Sequence, residues 1–246
     1  MESGKELEEN HMKGNQHWHD PVAESYRATI SHKVPGYHLL HELTVDVLET
    51  EVKEADSHIL TVGAGGGEEI VNMLQRKKDW LITGVDPSAS MLDMAKRRVA
   101  QLRMEARVTW YETALNKVSS ETVYDAAVSL LVIHFVENRL PFLQEIARRL
   151  RPGAPLVLAF IQGDMTSRVF QQELHMLSLF MQRQGLEKEV FSSFKDRLGH
   201  ATYPVPEEEM RGHLIEAGFT DIRPYFQAGM IKGLVCKRGC READDR

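Results

Sequence analysis

Cysteine is scarce in this 246-residue chain: Cys236 and Cys240 are its two thiols, close together near the end. Two neighbouring thiols cannot staple a fold of this size, so the chain reads as a protein of a reducing cytoplasm. Cys236 is expected to be a buried apolar group and Cys240 an exposed one. Basic charge is also short. Thirty Lys and Arg face 36 Asp and Glu, a formal charge of −6, and a chain without surplus cations is a poor generic binder of phosphate backbones. Long apolar runs are missing. The longest, 126–136, contains Ser129 and His134, and it falls well short of the ~20 residues a membrane span needs. The opening Met-Glu-Ser-Gly-Lys-Glu-Leu-Glu-Glu has no apolar core of a secretory leader. Repeats and low-complexity tracts are absent. What is left is ordinary globular composition, 42% apolar and 27% charged, long enough to bury one full α/β core.

Apolar spacing divides the chain. Residues 1–17 are polar and read as a poorly ordered tail. Residues 18–56 read as a helical lid: one helix begins at Pro21 with Val22, Ala23, Tyr26 and Ile30. It breaks at Val34-Pro35-Gly36, and a second helix carries Leu39, Leu40, Leu43, Val47, Leu48 and Val52. Strands are expected at His58–Val62, Trp80–Val85, Arg107–Tyr111, Tyr124–Leu130 and Pro155–Ile161, with helices at Glu68–Arg76, Ser88–Arg103 and Arg139–Leu150 between them. This alternation predicts an α/β, doubly wound, mainly parallel sheet, with 57–163 and 206–240 as its core. Residues 164–205 hold no clear strand and read as a helical insert. Its apolar stripe, Leu174, Leu177, Phe180 and Met181, is expected to pack the insert, with a substrate groove or a homodimer surface as alternatives. A helix then runs from Pro206 to Gly218, and strands near Asp221–Gln227 and Met230–Cys236 form an antiparallel hairpin. Arg148-Arg149-x-Arg151 reads as a solvated helix end.

The sharpest signal is Val62-Gly63-Ala64-Gly65-Gly66-Gly67-Glu68-Glu69, a glycine cluster between strand and helix. The next strand ends in Val85-Asp86-Pro87-Ser88. An acid at that place suits the two hydroxyls of an adenosine ribose; the plainer alternative is that Asp86 caps the following helix. Glu68 and Glu69 stand where a dinucleotide would put its pyrophosphate, and two acids there would repel it. No Gly-Lys-Ser/Thr marks a triphosphate loop. S-adenosylmethionine has no phosphate and carries an ammonium and a sulfonium, so the charge pattern favours it over NAD or ATP.

These residues resemble the class I S-adenosylmethionine-dependent methyltransferase superfamily. The resemblance rests on Val62–Gly67, Val85-Asp86-Pro87-Ser88-x-x-Met91, Tyr124-Asp125, Leu143-x-Glu145-x-x-Arg148-x-Leu150-x-Pro152-Gly153 and Leu214-x-x-Ala217-Gly218-Phe219. It implies a seven-stranded Rossmann-like sheet whose last strand is antiparallel. Val22-Ala23-Glu24, Val34-Pro35-Gly36-Tyr37 and Tyr225-Phe226-Gln227 also look like the carboxy-S-adenosylmethionine synthase branch. That likeness implies Tyr37, Gly63, Ala64, Gly65, Asp86, Pro87 and Ser129 as cofactor-pocket positions, joined by Met91 of the superfamily motif. The synthases carry Asn at the place of Ser129. They hold an extra carboxylate with an arginine that falls at Lys195 here, two residues before Arg197. The superfamily's acid ahead of the glycine loop is Thr61. Its adenine-contacting acid after the third strand is absent, with Thr113 and Ala114 as stand-ins.

Open α/β sheets bind ligands beyond the carboxyl ends of their strands, which puts Ser129-Leu130-Leu131-Val132-Ile133-His134 at the pocket. This stretch has neither the Pro-Pro element of amino-methylating nucleic-acid enzymes nor a Pro-Cys nucleophile, which argues against DNA and RNA as substrates. His134 is the candidate base. Tyr37 is a candidate for catalysis as well as for the cofactor pocket. His38, His41, His175, Lys195, Arg197 and Tyr203 are candidates for binding the acceptor. His11, His17, His19 and Asp20 match no tight ligand spacing, so no metal is expected. The leading reading is a cytoplasmic enzyme that methylates a small molecule and leaves S-adenosylhomocysteine. The alternatives are a carboxy-S-adenosylmethionine synthase-like enzyme of tRNA wobble-uridine modification, a non-catalytic cofactor-binding module, and an NAD-dependent oxidoreductase.

Overall fold

The computed structural model describes residues 28–240. The expected tail, the start of the first helix, Val22-Ala23-Glu24 and the His11, His17, His19 and Asp20 group lie outside the described residues.

Strands β1 (His58–Val62), β2 (Leu81–Val85), β3 (Val108–Tyr111), β4 (Ala126–Leu130), β5 (Pro155–Ile161), β6 (Phe219–Ala228) and β7 (Ile231–Arg238) make one sheet. Their order is β3-β2-β1-β4-β5-β7-β6. The first five run parallel, and β7 runs antiparallel to both its neighbours. The expected seven-stranded, doubly wound sheet with an antiparallel last strand is therefore present. Pro224 lies within β6, and its missing N–H is tolerated because β6 is an edge strand whose pairing shifts at two irregularities.

Helices α1 (Tyr37–Glu51), α2 (Glu68–Arg76), α3 (Ala89–Gln101), α4 (Arg139–Arg148), α5 (Arg168–Arg183), α6 (Lys188–Asp196) and α7 (Glu207–Glu216) cover the sheet. On one face Ile59, Val128 and Val157 pack with Leu40 and Leu48 of α1, Ile70 and Met73 of α2 and Leu92 of α3. On the other, Leu60, Leu156 and Phe160 pack with Ile146 of α4 and Leu214 of α7. Every residue of β5 is buried, as a central strand covered on both sides requires. Ser88 caps α3 by accepting the Met91 N–H, and Ser167 caps α5 by accepting that of Phe170. The stripe Leu174, Leu177 and Met181 points inward at 2–5% exposure and belongs to the first core. Phe180, the fourth member of the stripe, is partly buried against the same core, as packing of the insert requires.

Several expectations need correction: β3 starts at Val108 rather than Arg107, and α4 ends at Arg148, two residues short of Leu150. Trp80 and Tyr124 do not open strands: β2 starts at Leu81 and β4 at Ala126, while Tyr124 makes an isolated bridge with Leu150. Helix α3 ends at Gln101, two residues early, and Arg103 turns left-handed. The run Arg148-Arg149-x-Arg151 is not uniformly solvated. Arg149 is 2% exposed, pairs with Glu145 at 2.6 Å and donates to the carbonyl of Val118. It is buried because it satisfies a loop carbonyl and a carboxylate together.

That difference is measurable by urea denaturation. Arg149→Ala strands the Val118 carbonyl and leaves Glu145 with the exposed Arg148 alone, and should cost about 2 kcal/mol of stability. Arg148→Ala removes a solvent-exposed group and should change stability by less than about 0.5 kcal/mol. Equal effects would refute this account of Arg149.

Candidate functional site

The strand order reverses between β1 and β4, and an open sheet leaves a crevice at such a point. The glycine loop leaves β1 there. Gly63 and Ala64 donate their N–H groups to the carbonyl of Val85, at 2.8 and 3.0 Å. Gly65 donates to Asp86 Oδ2 at 2.9 Å, and Gly67 donates to the carbonyl of Ala64 at 2.8 Å. Glycine is required at two of these positions. A Cβ on Gly63 would stand 2.2 Å from Val132 Cγ2, and one on Gly67 would stand 2.8 Å from Ala95 Cβ, both at φ above 70°. Helix α2 therefore starts hard against α3, and Val132 lies directly on Gly63.

Asp86 ties this edge together. Its second oxygen accepts the N–H of Ser88 at 2.8 Å, and its own N–H donates to the carbonyl of Tyr111 at 3.1 Å. The helix cap is Ser88 rather than Asp86. Each carboxylate oxygen keeps a lone pair for a ribose hydroxyl. Burial raises its pKa above the ordinary value, against the two amide bonds that lower it. Met91 is buried beside Gly65, its terminal methyl 3.4 Å from where a Cβ of Gly65 would stand. Pro87 is exposed, Thr113 half-buried and Ala114 exposed in the turns beyond β2 and β3.

Two hydroxyls at this edge lack partners. Thr61 Oγ1, near the end of β1, and Ser129 Oγ, near the end of β4, are both buried without a hydrogen bond. Beyond β4 the backbone turns through Leu131 at φ 59°. His134 is then 4% exposed, and burial pushes its pKa down to about 3. Its carbonyl accepts the N–H of Tyr203 at 2.7 Å, and Arg139 donates to the carbonyl of Tyr203 at 2.7 Å. The Tyr203 hydroxyl donates to the carbonyl of His200. The end of the 164–205 segment is thus laced to the turn after β4.

The acids that follow the loop behave differently from their sequence reading. Glu68 is paired with Arg98 at 2.7 Å, and Arg98 also donates to the carbonyl of Gly66. Glu69 is 5% exposed, and burial pushes its pKa up to about 8. One acid is neutralised by an arginine and the other is uncharged at pH 7, so repulsion of a pyrophosphate is weaker than their number implied. A firmer argument is that four loop amides are already engaged within the protein, which leaves few to cradle phosphate.

Helix α1 brings Tyr37 and His41 together: their rings meet edge-on at 4.5 Å, and Tyr37 also meets His38 at 5.5 Å. Tyr37 and the exposed His38 line a cavity of about 640 Å³ with Ile30, Gly66, Glu68 and Arg98. His41 is 3% exposed, neither ring nitrogen has a partner, and burial pushes its pKa down to about 4. Its Nδ1 lies 3.9 Å from Glu69. The structure does not bring His175 or Lys195 into this group; both are exposed, on α5 and near the end of α6. Arg197 is half-buried, its Nε without a partner. Lys33 is close enough to feel its charge: burial first, and Arg197 second, lower the Lys33 pKa. Among the described residues neither cation forms an ion pair with a carboxylate. Sequence reasoning missed the nearness of Lys33 to Arg197 and of Glu69 to His41, because no local pattern reports a neighbour on another segment.

Residues 60–156 match the family model described as a methyltransferase domain. The chain is 25% identical to a carboxy-S-adenosyl-L-methionine synthase of Campylobacter hominis over 226 residues, 90% of this chain and 94% of that one. It is 21% identical to a ubiquinone biosynthesis O-methyltransferase of Coxiella burnetii, over 56% of this chain and 58% of that one. It therefore spans little more than half of that second relative. Magnesium protoporphyrin IX methyltransferase of Synechocystis PCC 6803, solved with bound S-adenosylhomocysteine, superposes with a TM-score of 0.62 at 18% identity, covering 83% of this chain and 84% of that one. The resemblance to class I methyltransferases, with a carboxy-S-adenosylmethionine synthase-like component, is borne out.

The buried titratable groups predict a pH optimum of stability. His41 and His134 have lowered pKa values, so unfolding takes up protons between about pH 4 and 6.5, and stability rises with pH there. Glu69 is raised from 4.5 to about 8, so unfolding releases its proton and stability falls as pH rises through that window. The two histidines outweigh the one acid below pH 6.5, and the acid acts alone above it. The urea midpoint should peak near pH 6.5, and Glu69→Gln should abolish the decline from there to pH 8. A midpoint that climbs steadily to pH 8 would contradict these assignments.

Proposed function

We propose that the chain is an enzyme that transfers a methyl group from S-adenosylmethionine to a small-molecule acceptor carrying a carboxylate or phosphate. The observation that carries this is the crevice at the β1/β4 reversal. A glycine loop closed on itself and a carboxylate with lone pairs left over meet there, and partnerless buried hydroxyls lie near the ends of both strands, Thr61 on one face of the sheet and Ser129 on the other. The match to a methyltransferase domain covers the same strands, and a neighbour of the same fold binds S-adenosylhomocysteine.

The residues fit the cofactor. Asp86 would accept the ribose hydroxyls, Gly63, Ala64 and Gly65 would let the ligand approach the backbone, and Thr61 and Ser129 would gain the partners they lack. Met91, Pro87, Thr113 and Ala114 would border the adenosine, and Tyr37 would wall the side towards α1. S-adenosylmethionine supplies, when bound, a methyl group on a sulfonium that is already an activated leaving group. The chain's own task is alignment, which can contribute ~7–11 kcal/mol at best. Lys33 and Arg197 would fix the anionic end of the acceptor, since two desolvated cations without a carboxylate gain most from an anion. His134, at a pKa of about 3, is a weak base at neutral pH. Its contribution is to hold the turn and, through its carbonyl, Tyr203. His38 and Tyr203 remain candidates for contacting the acceptor, and His41 lies deeper, against Glu69.

A second reading has specific support. The synthase relative aligns over nearly its whole length, and the free Arg197 would equally suit a carboxylated cofactor.

Mass spectrometry of the small molecule that copurifies decides between them. S-adenosylmethionine or its demethylated product supports methyl transfer, and a carboxylated cofactor supports the synthase reading. Asp86→Ala should weaken S-adenosylhomocysteine binding at least about tenfold by calorimetry, ~1.4 kcal/mol or more, with the circular dichroism spectrum retained. Arg197→Ala should leave that affinity unchanged. Unaltered binding in Asp86→Ala would refute the ribose assignment.

A further inference from the structure

We propose that Arg98 is a positioning residue for the cofactor: its guanidinium clamps the glycine loop at Gly66 and Glu68, and so holds the loop in the shape that a ligand lying on it requires. The inference rests on the reading of the loop as an S-adenosylmethionine site, and it adds a residue of α3 to the groups that serve that site.

Residues 63–67 are glycine at four of five positions, and glycine has more backbone freedom to lose than any other residue. The loop is restrained unevenly. Gly63 and Gly67 are pinned by the closeness of Val132 and Ala95. Gly63 and Ala64 are tied to the carbonyl of Val85, and Gly65 to Asp86. None of these contacts reaches Gly66. A Cβ placed there would meet only Met94 Sδ, at 3.3 Å, near the end of a flexible side chain. Packing alone therefore leaves Gly66 room to change its backbone angles.

Arg98 supplies the missing restraint. Its Nη1 donates to the carbonyl of Gly66 at 2.8 Å, and its Nη2 donates to Glu68 Oε2 at 2.7 Å. The peptide unit that joins Gly66 to Gly67 is thereby fixed at both ends, since the Gly67 N–H already donates to the carbonyl of Ala64. The second bond fixes the guanidinium itself, and ties it to the first residue of α2, a helix whose N-terminus has no capping side chain. The Arg98 and Glu68 side chains are only 14% and 23% exposed, and shielding from water strengthens charge-assisted bonds of this kind. A lysine would bring a single point charge in place of the fork. A loop ordered in advance costs a ligand less to bind. Without Arg98 the ordering of Gly66 falls on the binding step.

Arg98 lines the cavity of about 640 Å³ that Tyr37, His38, Gly66 and Glu68 also line. Truncation at position 98 leaves a slot the size of the lost head group, which a free guanidinium ion can enter from that cavity.

Calorimetric titration of the full chain with S-adenosylhomocysteine tests this, beside native-state hydrogen exchange of the ligand-free protein. Arg98→Ala should bind at least about tenfold more weakly. Guanidinium chloride at sub-denaturing concentration should recover most of that loss, sodium chloride of equal ionic strength none of it, and neither should raise the affinity of the unaltered protein. Arg98→Lys should stay several-fold weaker, because charge alone does not replace the fork. The Gly67 amide should exchange at least about tenfold faster in both variants. Unchanged affinity in Arg98→Ala, or a loss that guanidinium does not recover, overturns the positioning role. Unchanged exchange at Gly67 overturns the clamp itself, whatever binds. Should Arg98→Ala fail to fold, Arg98→Lys is read in the same two ways, and affinity and exchange equal to those of the unaltered protein overturn the proposal. Absence of binding by the unaltered protein would instead overturn the cofactor reading, and the proposal with it.

Discussion

Asp86 holds three turns of the sheet's carboxyl edge in place with one side chain and one peptide N–H. One oxygen fixes the glycine loop through Gly65, the other fixes the start of α3 through Ser88, and the peptide N–H reaches the turn after β3. The close approach of α2 to α3 at Gly67 and Ala95 leaves no slack for a different arrangement. The loop is thereby held in a left-handed shape that side chains larger than glycine cannot share at positions 63 and 67. A crevice formed in this way is organised before any ligand enters, which is what alignment-based catalysis requires.

Around that edge the protein treats its polar groups in two distinct ways. Arg98 with Glu68, Arg149 with Glu145, and Lys232 with Glu207 are matched pairs. His41, Glu69 and His134 are buried without an ion-pair partner closer than 3.9 Å and are kept uncharged by burial at neutral pH. Matched pairs stabilise the scaffold. Unmatched neutral groups cost stability, and proteins keep such groups chiefly at functional sites. Their gathering beneath the glycine loop and beside β4 coincides with the topological reversal, where a ligand would enter.

Much of this was legible in the sequence, and the failures have physical causes. The strands β1 and β5 and helix α2 have the bounds that their apolar runs and flanking glycines set, because a fully buried strand must be apolar throughout. The glycine loop and Asp86 were readable because a sharp strand-to-helix turn admits few residues. Arg149 was misjudged: three arginines in four positions look alike until one of them finds a buried carbonyl. Glu68 and Glu69 were read as two charges, but their states depend on Arg98 and on burial, neither of which local sequence encodes. Lys33 and Arg197 come from segments far apart in the chain, so their pairing is a property of the tertiary fold. His175 and Lys195 show the converse, since a suitable residue type within the insert does not fix which way it faces.

Strand β7 lies between β5 and β6, although it is the last of the three in the chain. Until it arrives, β5 keeps an open hydrogen-bonding edge and β6 has no partner at all. A ribosome-bound chain that already contains the whole glycine loop and both core faces would still present an unfinished sheet, open to pairing with another molecule. Closure is postponed to the final insertion, so a frameshift or nick that removes only β7 would detach two strands from the sheet rather than one.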